Sequence, residues 1–436
     1  MDIVRPTVGD TTWFQQDRFG LFIHWGIYAL AARHEWVKHV EQIPDDVYDR
    51  YFKHFDPDLY DPEVWAKAAS GAGMKYFVVT TKHHDGFCLF DSALTDYNAP
   101  HTPCGKDLIR PMADAFRGQN MKVGFYHSII DWHHPQFVID DLHSMRGHPD
   151  RAKLNETRDQ AKYAEYLRGQ VRELLTNYGK VDVMFFDFSY PATEPGKMGK
   201  GRADWDSENL IKMVRELQPG IVVNDRLDLM DVEGGWDIKT PEQFMVREWV
   251  KVNGQRVVWE TCQTFSGSWG YFRDEYTWKS VDQLLLMLID TTSKGGNLLL
   301  NVGPTGRGEF DERALDRLAG MGEWMKRHDR SIYGCTQAPE DFPTPQDCRL
   351  TYNPDKKRLY VHILNWPIVN LHMDGFAGKV DYAQFLHDAS EVKMTEAVEQ
   401  EEWMGAHDKN PKSTLTLQLP VVKPNVAIPV VEMFLK

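Results

Sequence analysis

One carboxylate stands at the end of the most apolar stretch of the chain. The run Val181-Asp-Val-Met-Phe-Phe-Asp187 has apolar or aromatic residues at five of its first six positions and ends on Asp187. Such a run is typical of a strand in a parallel sheet that is buried on both faces. An acid at the carboxyl end of that strand would point toward the mouth of a barrel, where enzymes of this architecture keep their chemistry. We therefore expect Asp187 to act as a nucleophile or a general base.

Polar side chains also end five other apolar runs. These ends are His24-Trp25-Gly26, Lys82-His83-His84-Asp85, Tyr126-His127-Ser128, Asn224-Asp225-Arg226 and Trp259-Glu260. Each has an ordinary structural explanation when taken singly: a lone histidine is more often part of a core, and Asp225 with Arg226 could form a structural ion pair. Their coincidence at six strand ends favours an active site over an apolar base.

Two reaction classes suit a barrel mouth that is rich in histidines and acids. A metal-dependent hydrolase needs three or four His, Asp or Glu ligands, but the first strand supplies only His24, which Trp25 follows. A glycosidase needs two carboxylates, with His, Arg and Trp to bind hydroxyls and a ring face. The residues favour the glycosidase. A metal-dependent barrel hydrolase and a catalytically silent sugar-binding protein remain the alternatives.

The runs that carry these residues alternate with helical patterns, which predicts an α/β protein. The predicted strands are Arg18–His24, Tyr76–Thr81, Lys122–His127, Val181–Asp187, Ile221–Asn224, Val257–Glu260 and Asn297–Val302. An eighth, short or irregular strand would complete a (β/α)8-like barrel. An open doubly wound sheet is the rival, but no G-x-G-x-x-G turn follows the first strand.

The pattern changes near Cys335. Short alternating or apolar runs at 358–364, 414–419 and 426–433 predict a small C-terminal antiparallel β-sandwich. We therefore divide the chain into a catalytic barrel at 1–335 and a sandwich at 336–436. Residues 136–159 are polar and predict a long loop after the third strand, which would cover or shape a site.

Composition narrows the range of partners. The 50 basic and 64 acidic residues give a net charge of -14, which argues against nucleic acid or an anionic membrane surface as a partner. No apolar run approaches the length of a membrane span, and the five widely spaced cysteines do not suggest a disulfide framework. The start of the chain lacks a signal-peptide pattern, so we expect a cytoplasmic protein, or a secreted or periplasmic one if a signal was removed. The oligomeric state is left open.

Beyond these patterns, the motifs resemble a known family. They are Trp13-Phe, Phe19-Gly-Leu-Phe-Ile-His24-Trp25-Gly26, Glu35-Trp36, Lys82-His83-His84-Asp85-Gly86-Phe87, Gly124-Phe-Tyr126-His127-Ser128, Asn224-Asp225-Arg226, Thr240-Pro241-Glu242, Trp259-Glu260-Thr-Cys, Ser268-Trp269-Gly270-Tyr271 and Gly295-Gly-Asn-Leu-Leu-Leu-Asn301-Val-Gly-Pro304. In this order they resemble the α-L-fucosidases of glycoside hydrolase family 29. The stretch 385–393 is similar to the family's C-terminal sandwich.

The resemblance implies a retaining hydrolase that removes terminal α-L-fucose from oligosaccharides or glycoconjugates through a covalent fucosyl-enzyme intermediate. It implies a fucosylated glycan as the partner, and neither a metal nor a cofactor. Asp187 would be the nucleophile, Glu242 the first choice for the acid/base, and Glu260 the second. A nucleophile must be ionised and an acid protonated, so we expect donors to lower the pKa of Asp187 and the surroundings of the acid to raise its pKa.

The resemblance also carries over a set of substrate-binding residues. They are His24, Glu35, Trp36, His83, His84, Tyr126, Arg226 and Trp269. Imidazoles and arginine offer directed bonds to hydroxyls, and the methyl group of a 6-deoxy sugar favours an aromatic wall. His127 could bind substrate or belong to the core.

One residue departs from the pattern of the family. Relatives commonly have Trp-Phe-Asp-Gly or a similar turn at the nucleophile, whereas here Phe188 follows Asp187. We expect this phenylalanine to narrow the turn beside the nucleophile and to alter the aglycone side or the preferred linkage.

Overall fold

A computed structural model describes residues 4–396 and 411–436. The first ten strands in chain order are Phe19–Ile23 (β1), Tyr76–Lys82 (β2), Lys122–Ser128 (β3), Val183–Asp187 (β4), Val222–Val223 (β5), Ile238–Lys239 (β6), Lys251–Val252 (β7), Gln255–Arg256 (β8), Val258–Thr264 (β9) and Asn297–Val302 (β10). Strands β7 and β8 form a separate antiparallel hairpin. The other eight form one sheet.

That sheet is a nearly closed parallel barrel. Its strand order is β5-β4-β3-β2-β1-β10-β9-β6, and each neighbouring pair is parallel. A parallel bridge from Asn224 to Ile238 brings the two edge strands together. The predicted barrel is confirmed, and its eighth strand is β6, which is only two residues long. The strand that we expected to end at Glu260 runs on to Thr264.

Helices surround this barrel on most sides. They are Thr12–Asp17 (α1), Tyr28–Ala31 (α2), Val37–Val40 (α3), Asp45–Lys53 (α4), Pro62–Gly71 (α5), Ile109–Gly118 (α6), Arg151–Asn155 (α7), Gln160–Asn177 (α8), Arg202–Trp205 (α9), Ser207–Leu217 (α10), Val281–Thr292 (α11) and Glu312–His328 (α12), with short 3-10 turns at Ala99–His101 and Asp329–Ser331. Asp61 caps the start of helix α5, because its side chain accepts from the backbone N–H groups of Glu63 and Val64. The predicted loop 136–159 contains the short helix α7.

Alternation along the strands decides which side chains enter the barrel. On β4, Val183 and Phe185 belong to the cluster inside the barrel, whereas Met184 and Phe186 pack in the outer cluster, which also contains side chains of the surrounding helices. Since side chains in a strand repeat every second residue, Asp187 continues the inner series. The last residue of β4 therefore directs its carboxylate into the mouth of the barrel.

The C-terminal part is an antiparallel sandwich, as predicted. Its strands are Thr336–Gln337 (β11), Cys348–Asn353 (β12), Arg358–Ile363 (β13), Asn370–Met373 (β14), Val380–Phe385 (β15), Lys393–Glu396 (β16), Leu415–Gln418 (β17) and Val430–Leu435 (β18). Five of them form a sheet in the order β11-β12-β13-β18-β15, which packs on a second sheet, β14-β17-β16, through a shared apolar core. Strand β18 begins four residues later than the predicted run at 426. The division at residues 335 and 336 stays our proposal.

Within the described ranges, none of the helices has both the length and the apolar character needed to cross a membrane.

Candidate active site

A narrow pocket lies at the carboxyl ends of the barrel strands. It holds about 370 Å³ of empty space and is lined by Phe22, His24, Trp36, His83, His84, Tyr126, Phe185, Asp187, Phe188, Glu242, Cys262 and Trp269. Eight of these are predicted site residues. A groove of about 1830 Å³ between α11 and the sandwich is larger, but the described residues that line it include none of the predicted set. Because the titratable groups converge in the smaller pocket, we take it as the active-site candidate.

Asp187 lies among donors at the bottom of this pocket. The hydroxyl of Tyr126 donates to its Oδ2 at 2.9 Å, and Nη1 of Arg226 donates to its Oδ1 at 3.0 Å. Burial nevertheless raises the pKa of Asp187 to about 6, because desolvation outweighs the Arg226 charge and the Tyr126 hydrogen bond. The expectation of a lowered pKa for Asp187 is therefore wrong. Both hydrogen-bond donors are present, but desolvation of the carboxylate has the larger effect on its pKa.

Arg226 connects the two predicted catalytic carboxylates. While its Nη1 contacts Asp187, its Nη2 donates to Oε2 of Glu242 at 3.0 Å. The side chain of Glu242 is 40% exposed, compared with 15% for Asp187. One guanidinium thus holds a buried carboxylate at the base of the pocket and an accessible one at its rim.

A neighbouring acid fixes the segment that carries Glu242. Oδ1 of Asp225 accepts from the backbone N–H of Thr240 at 3.0 Å and from its hydroxyl at 2.7 Å, and Asp225 also pairs with Lys239. Arg226 donates to the hydroxyl and the carbonyl oxygen of Thr240. The structural ion pair that Asp225 and Arg226 could have formed is not present, because both residues are engaged with other groups. They anchor the turn Thr240-Pro241-Glu242 from two sides.

Three neutral imidazoles form one wall of the pocket. Burial lowers the pKa of His24 and of His84 to about 3, and it holds the pKa of His83 well below its ordinary value. The rings of His83 and His84 lie 4.2 Å apart between centroids, and His24 lies 5.6 Å from His83. A neutral imidazole has one N–H donor and one acceptor nitrogen, so the partners of each ring decide which of the two faces the pocket.

Aromatic rings form a further part of the pocket lining. Phe22 lies 5.2 Å from Phe185 and 5.9 Å from Trp269, measured between ring centroids. Residues Phe22, Phe185 and Cys262 were not predicted to line the site. Alternate side chains of a strand point to the same face, and Phe22 lies two residues before His24 and Phe185 two residues before Asp187. The sequence could therefore have predicted both phenylalanines as pocket residues. Cys262 could be assigned to the pocket only once the true end of β9 was known.

Glu35, a predicted binding residue, is not among the residues that line the pocket. Its side chain is 4% exposed, and its Oε2 accepts the backbone N–H of Gly270 at 2.8 Å. Burial raises the pKa of this carboxyl. The structure therefore positions Glu35 to hold the turn that carries Trp269, next to the predicted binding residue Trp36.

Phe188 has a backbone conformation that a bulky residue rarely adopts. Its φ is +77°, in the left-handed region that favours glycine. Its ring lies 6.0 Å from the rings of both Trp36 and His84. Strained residues of this kind concentrate at functional sites, and this one follows the predicted nucleophile directly.

Two predicted or considered residues lie away from the pocket. Glu260 belongs to the inner series of β9, but it pairs in register with Asn297, the first residue of β10, and bonds to Tyr76, the first residue of β2. It therefore lies near the amino-terminal end of the barrel, because its strand continues four residues past it. His127 faces outward, is fully buried, and bonds to the hydroxyl of Thr81 at 2.9 Å, which makes it part of the core.

The described residues contain no group of three or more His, Cys, Asp or Glu side chains arranged to hold a metal ion.

Comparisons with known proteins agree on one family. The family described as Alpha-L-fucosidase matches residues 8–330. The structure of α-L-fucosidase isoenzyme 1 from Paenibacillus thiaminolyticus is 42% identical with a TM-score of 0.89, over 98% of both chains. The plasma α-L-fucosidase of Homo sapiens is 29% identical over 81% of this chain and 76% of its own length.

A third comparison concerns the fold alone. An α-L-fucosidase from Bacteroides thetaiotaomicron, solved as a trapped covalent intermediate in complex with 2-fluoro-fucosyl fluoride, is 23% identical with a TM-score of 0.82, over 99% of this chain and 98% of its own. The family match spans most of the barrel, including every residue of the pocket described above. The chain therefore belongs to the α-L-fucosidases of glycoside hydrolase family 29.

Proposed function

We propose that this protein is an exo-acting, retaining α-L-fucosidase that hydrolyses terminal α-L-fucose from oligosaccharides or glycoconjugates, with Asp187 as nucleophile and Glu242 as acid/base. The observation that carries the proposal is the guanidinium of Arg226, which donates at 3.0 Å to each of two carboxylates that line one narrow pocket. A retaining mechanism needs two carboxyl groups about 5 Å apart. Two carboxylates bonded to the two terminal nitrogens of one guanidinium are compatible with that separation.

The assigned roles follow from the difference in exposure. Asp187, at the base, would attack the anomeric carbon and displace the glycosidic oxygen, which takes a proton from Glu242. Glu242, at the rim, would then take a proton from the water that hydrolyses the fucosyl ester of Asp187, and so return to its starting state. Its 40% exposed side chain can meet both the leaving oxygen and the incoming water. Asp187 is sheltered from that water.

The donors around Asp187 suit a carboxylate that gains and loses charge. Arg226 and the hydroxyl of Tyr126 each bind a different carboxylate oxygen. They would stabilise the ionised form before attack and the carboxylate that leaves when water cleaves the ester. Because they are held by Thr240 and by packing inside the barrel, they need little reorganisation during the reaction.

The shape of the pocket supports action at a chain end. Phe22, Tyr126 and Phe185 form its floor and belong to the packed cluster inside the barrel, so the pocket is blind. A blind pocket admits a terminal sugar but cannot hold an internal residue of a glycan, which must continue in two directions. The apolar floor suits the methyl group of fucose, and the imidazoles suit its hydroxyls. The trapped intermediate of the Bacteroides relative supports the covalent step.

Two substitutions test the assigned roles on an aryl α-L-fucoside. Asp187→Gly should abolish turnover, and added azide should restore it with formation of β-fucosyl azide. Glu242→Ala should lose about 100- to 10,000-fold on a poor leaving group and much less on a good one, as expected for loss of an acid. Glu260→Gln is the matched control for Glu242, and it should keep near-normal turnover. Full activity of Asp187→Gly would overturn the nucleophile assignment, and a leaving-group effect in Glu260→Gln instead of Glu242→Ala would overturn the acid assignment.

The same protein preparations also test the two alternative functions that the sequence left open. A metal-dependent hydrolase would lose activity with a chelator and regain it with metal. A silent binding protein would bind fucose but leave the aryl fucoside intact. We expect turnover that a chelator does not reduce.

A further inference from the structure

Asn301, outside the pocket lining, controls the proton of one pocket histidine. Its Nδ2 donates to the carbonyl oxygen of Trp269 at 2.7 Å, and its Oδ1 lies 2.6 Å from Nδ1 of His24. A carbonyl oxygen can only accept, so the amide nitrogen must face Trp269 and the amide oxygen must face His24. An amide oxygen also can only accept. The proton of His24 must therefore reside on Nδ1.

Ser128 has the same relation to a second histidine. Its Oγ lies 2.6 Å from Nδ1 of His84, accepts the backbone N–H of Ile130 at 3.0 Å, and donates to the carbonyl oxygen of Ile130 at 2.9 Å. A hydroxyl has one proton, and the buried carbonyl of Ile130 needs it. Oγ is then an acceptor toward His84, whose proton must also reside on Nδ1.

These bonds determine what the two rings present to the pocket. Burial lowers the pKa of both imidazoles to about 3, so each carries a single proton near neutral pH. With that proton on Nδ1, Nε2 is a bare acceptor. Nε2 of His84 lies 3.8 Å from Oδ2 of Asp187, which is too long for a hydrogen bond and leaves two acceptors facing each other. A hydroxyl next to the anomeric carbon could supply the missing proton.

Building on the proposed function, we propose that Asn301 and Ser128 are positioning residues that hold His24 and His84 as Nδ1–H tautomers, so that both rings accept hydrogen bonds from fucose hydroxyls. The pocket then selects for hydroxyl protons at two positions of the sugar. A substituent that accepts but cannot donate, such as fluorine, would lose these contacts although it fits the space.

Neutron diffraction from crystals of the deuterium-exchanged protein tests the tautomers directly. We expect deuterium on Nδ1 of His24 and of His84, and none on Nε2. Deuterium on Nε2 of either ring would overturn the proposal for that ring. Because this measurement does not depend on turnover, its outcome is separate from that of the proposed function.

Kinetics with modified sugars test the consequence. The substrates are an aryl α-L-fucoside and analogues in which one ring hydroxyl is replaced by fluorine. Asn301→Leu should lower kcat/KM for the parent by about 10- to 100-fold, but by less than about 3-fold for the analogue that lacks the hydroxyl bound by His24. An equal loss for every analogue would overturn the proposal, because it would indicate a structural role.

The chain offers a matched control for this comparison of variants across the substrate analogues. Asn297 is on the same strand, is equally buried, and donates to the carbonyl oxygen of Phe14 at 2.7 Å, but it lies at the opposite end of the barrel. Asn297→Leu should affect all substrates by one common factor. If Asn301→Leu fails to fold, Ser128→Ala allows the same comparison of substrate analogues for His84. Ser128→Thr keeps the hydroxyl and should therefore retain the discrimination among the analogues.

Discussion

The protonation of Glu260 should dominate the pH dependence of folding at the amino-terminal end of the barrel. Its carboxyl is fully buried, its Oε2 accepts from the hydroxyl of Tyr76, and its Oε1 has no hydrogen-bond partner among the described residues. Burial raises the pKa of Glu260 from 4.5 to about 8. The folded protein therefore keeps this proton at neutral pH, whereas the unfolded chain releases it above pH 4.5.

The size of the effect follows from the two pKa values. Between pH 4.5 and about 8 unfolding releases one proton, so the free energy of unfolding falls by up to about 1.4 kcal/mol per pH unit as the pH rises. Over that interval the loss from this one group amounts to about 5 kcal/mol. The stabilisation is complete below pH 4.5 and is lost by the time the pH passes about 8.

Glu260→Gln removes the ionisation and keeps the shape and an acceptor for Tyr76. We expect the variant to match the wild type at pH 5 and to exceed it by several kcal/mol at pH 8.5, measured by urea denaturation at a series of pH values. Glu165→Gln, which removes a carboxylate from the exposed face of α8, is the control and should leave the difference between pH 5 and 8.5 unchanged. Parallel curves for wild type and Glu260→Gln would refute the reasoning, because they would show that Glu260 is ionised in the folded state or does not titrate.

Three further predictions concern the pocket. The kcat/KM for an aryl fucoside should fall as the pH drops through about 6, because the proposed nucleophile Asp187 becomes protonated; a flat profile down to pH 4 would contradict its raised pKa. Tyr126→Phe removes a hydrogen bond to that carboxylate, so kcat/KM should fall about 10- to 100-fold and the acidic limb should move to higher pH; an unchanged limb would mean that the hydroxyl does not act on Asp187. Phe188→Gly should be more stable than Phe188→Ala by about 0.5 to 1 kcal/mol in urea denaturation, because glycine adopts φ +77° without strain. Phe188→Gly should also increase the turnover of fucosides with bulky aglycones relative to aryl fucosides. Equal stability of the two variants would show that the backbone at this position is not strained.

Much of the barrel could be predicted because its signals are local. Apolar runs bounded by helical patterns indicated seven strands within a few residues of their observed bounds, and the period of two directs Asp187 inward from β4. Predicted ends were weakest where polar residues continue a strand. Thr261, Gln263 and Thr264 follow Glu260, and their polarity masked four more residues of β9.

The sequence by itself determined the alternation of strands and helices, the inward face of each strand, and the residue types available at the mouth of the barrel, since these depend on neighbours along the chain. Only the tertiary structure decided which of those residues meet. Arg226 joins Asp187 to Glu242 although Asp225 is its neighbour in sequence, and Glu260 lies at the far end of the barrel although the sequence predicted it at the end of a strand. Closing the sheet into a barrel sets the register between strands that are distant in sequence, and this register decides the position of each carboxylate along the barrel axis. The pKa values of these carboxylates depend on that position, because it determines how strongly each one is desolvated.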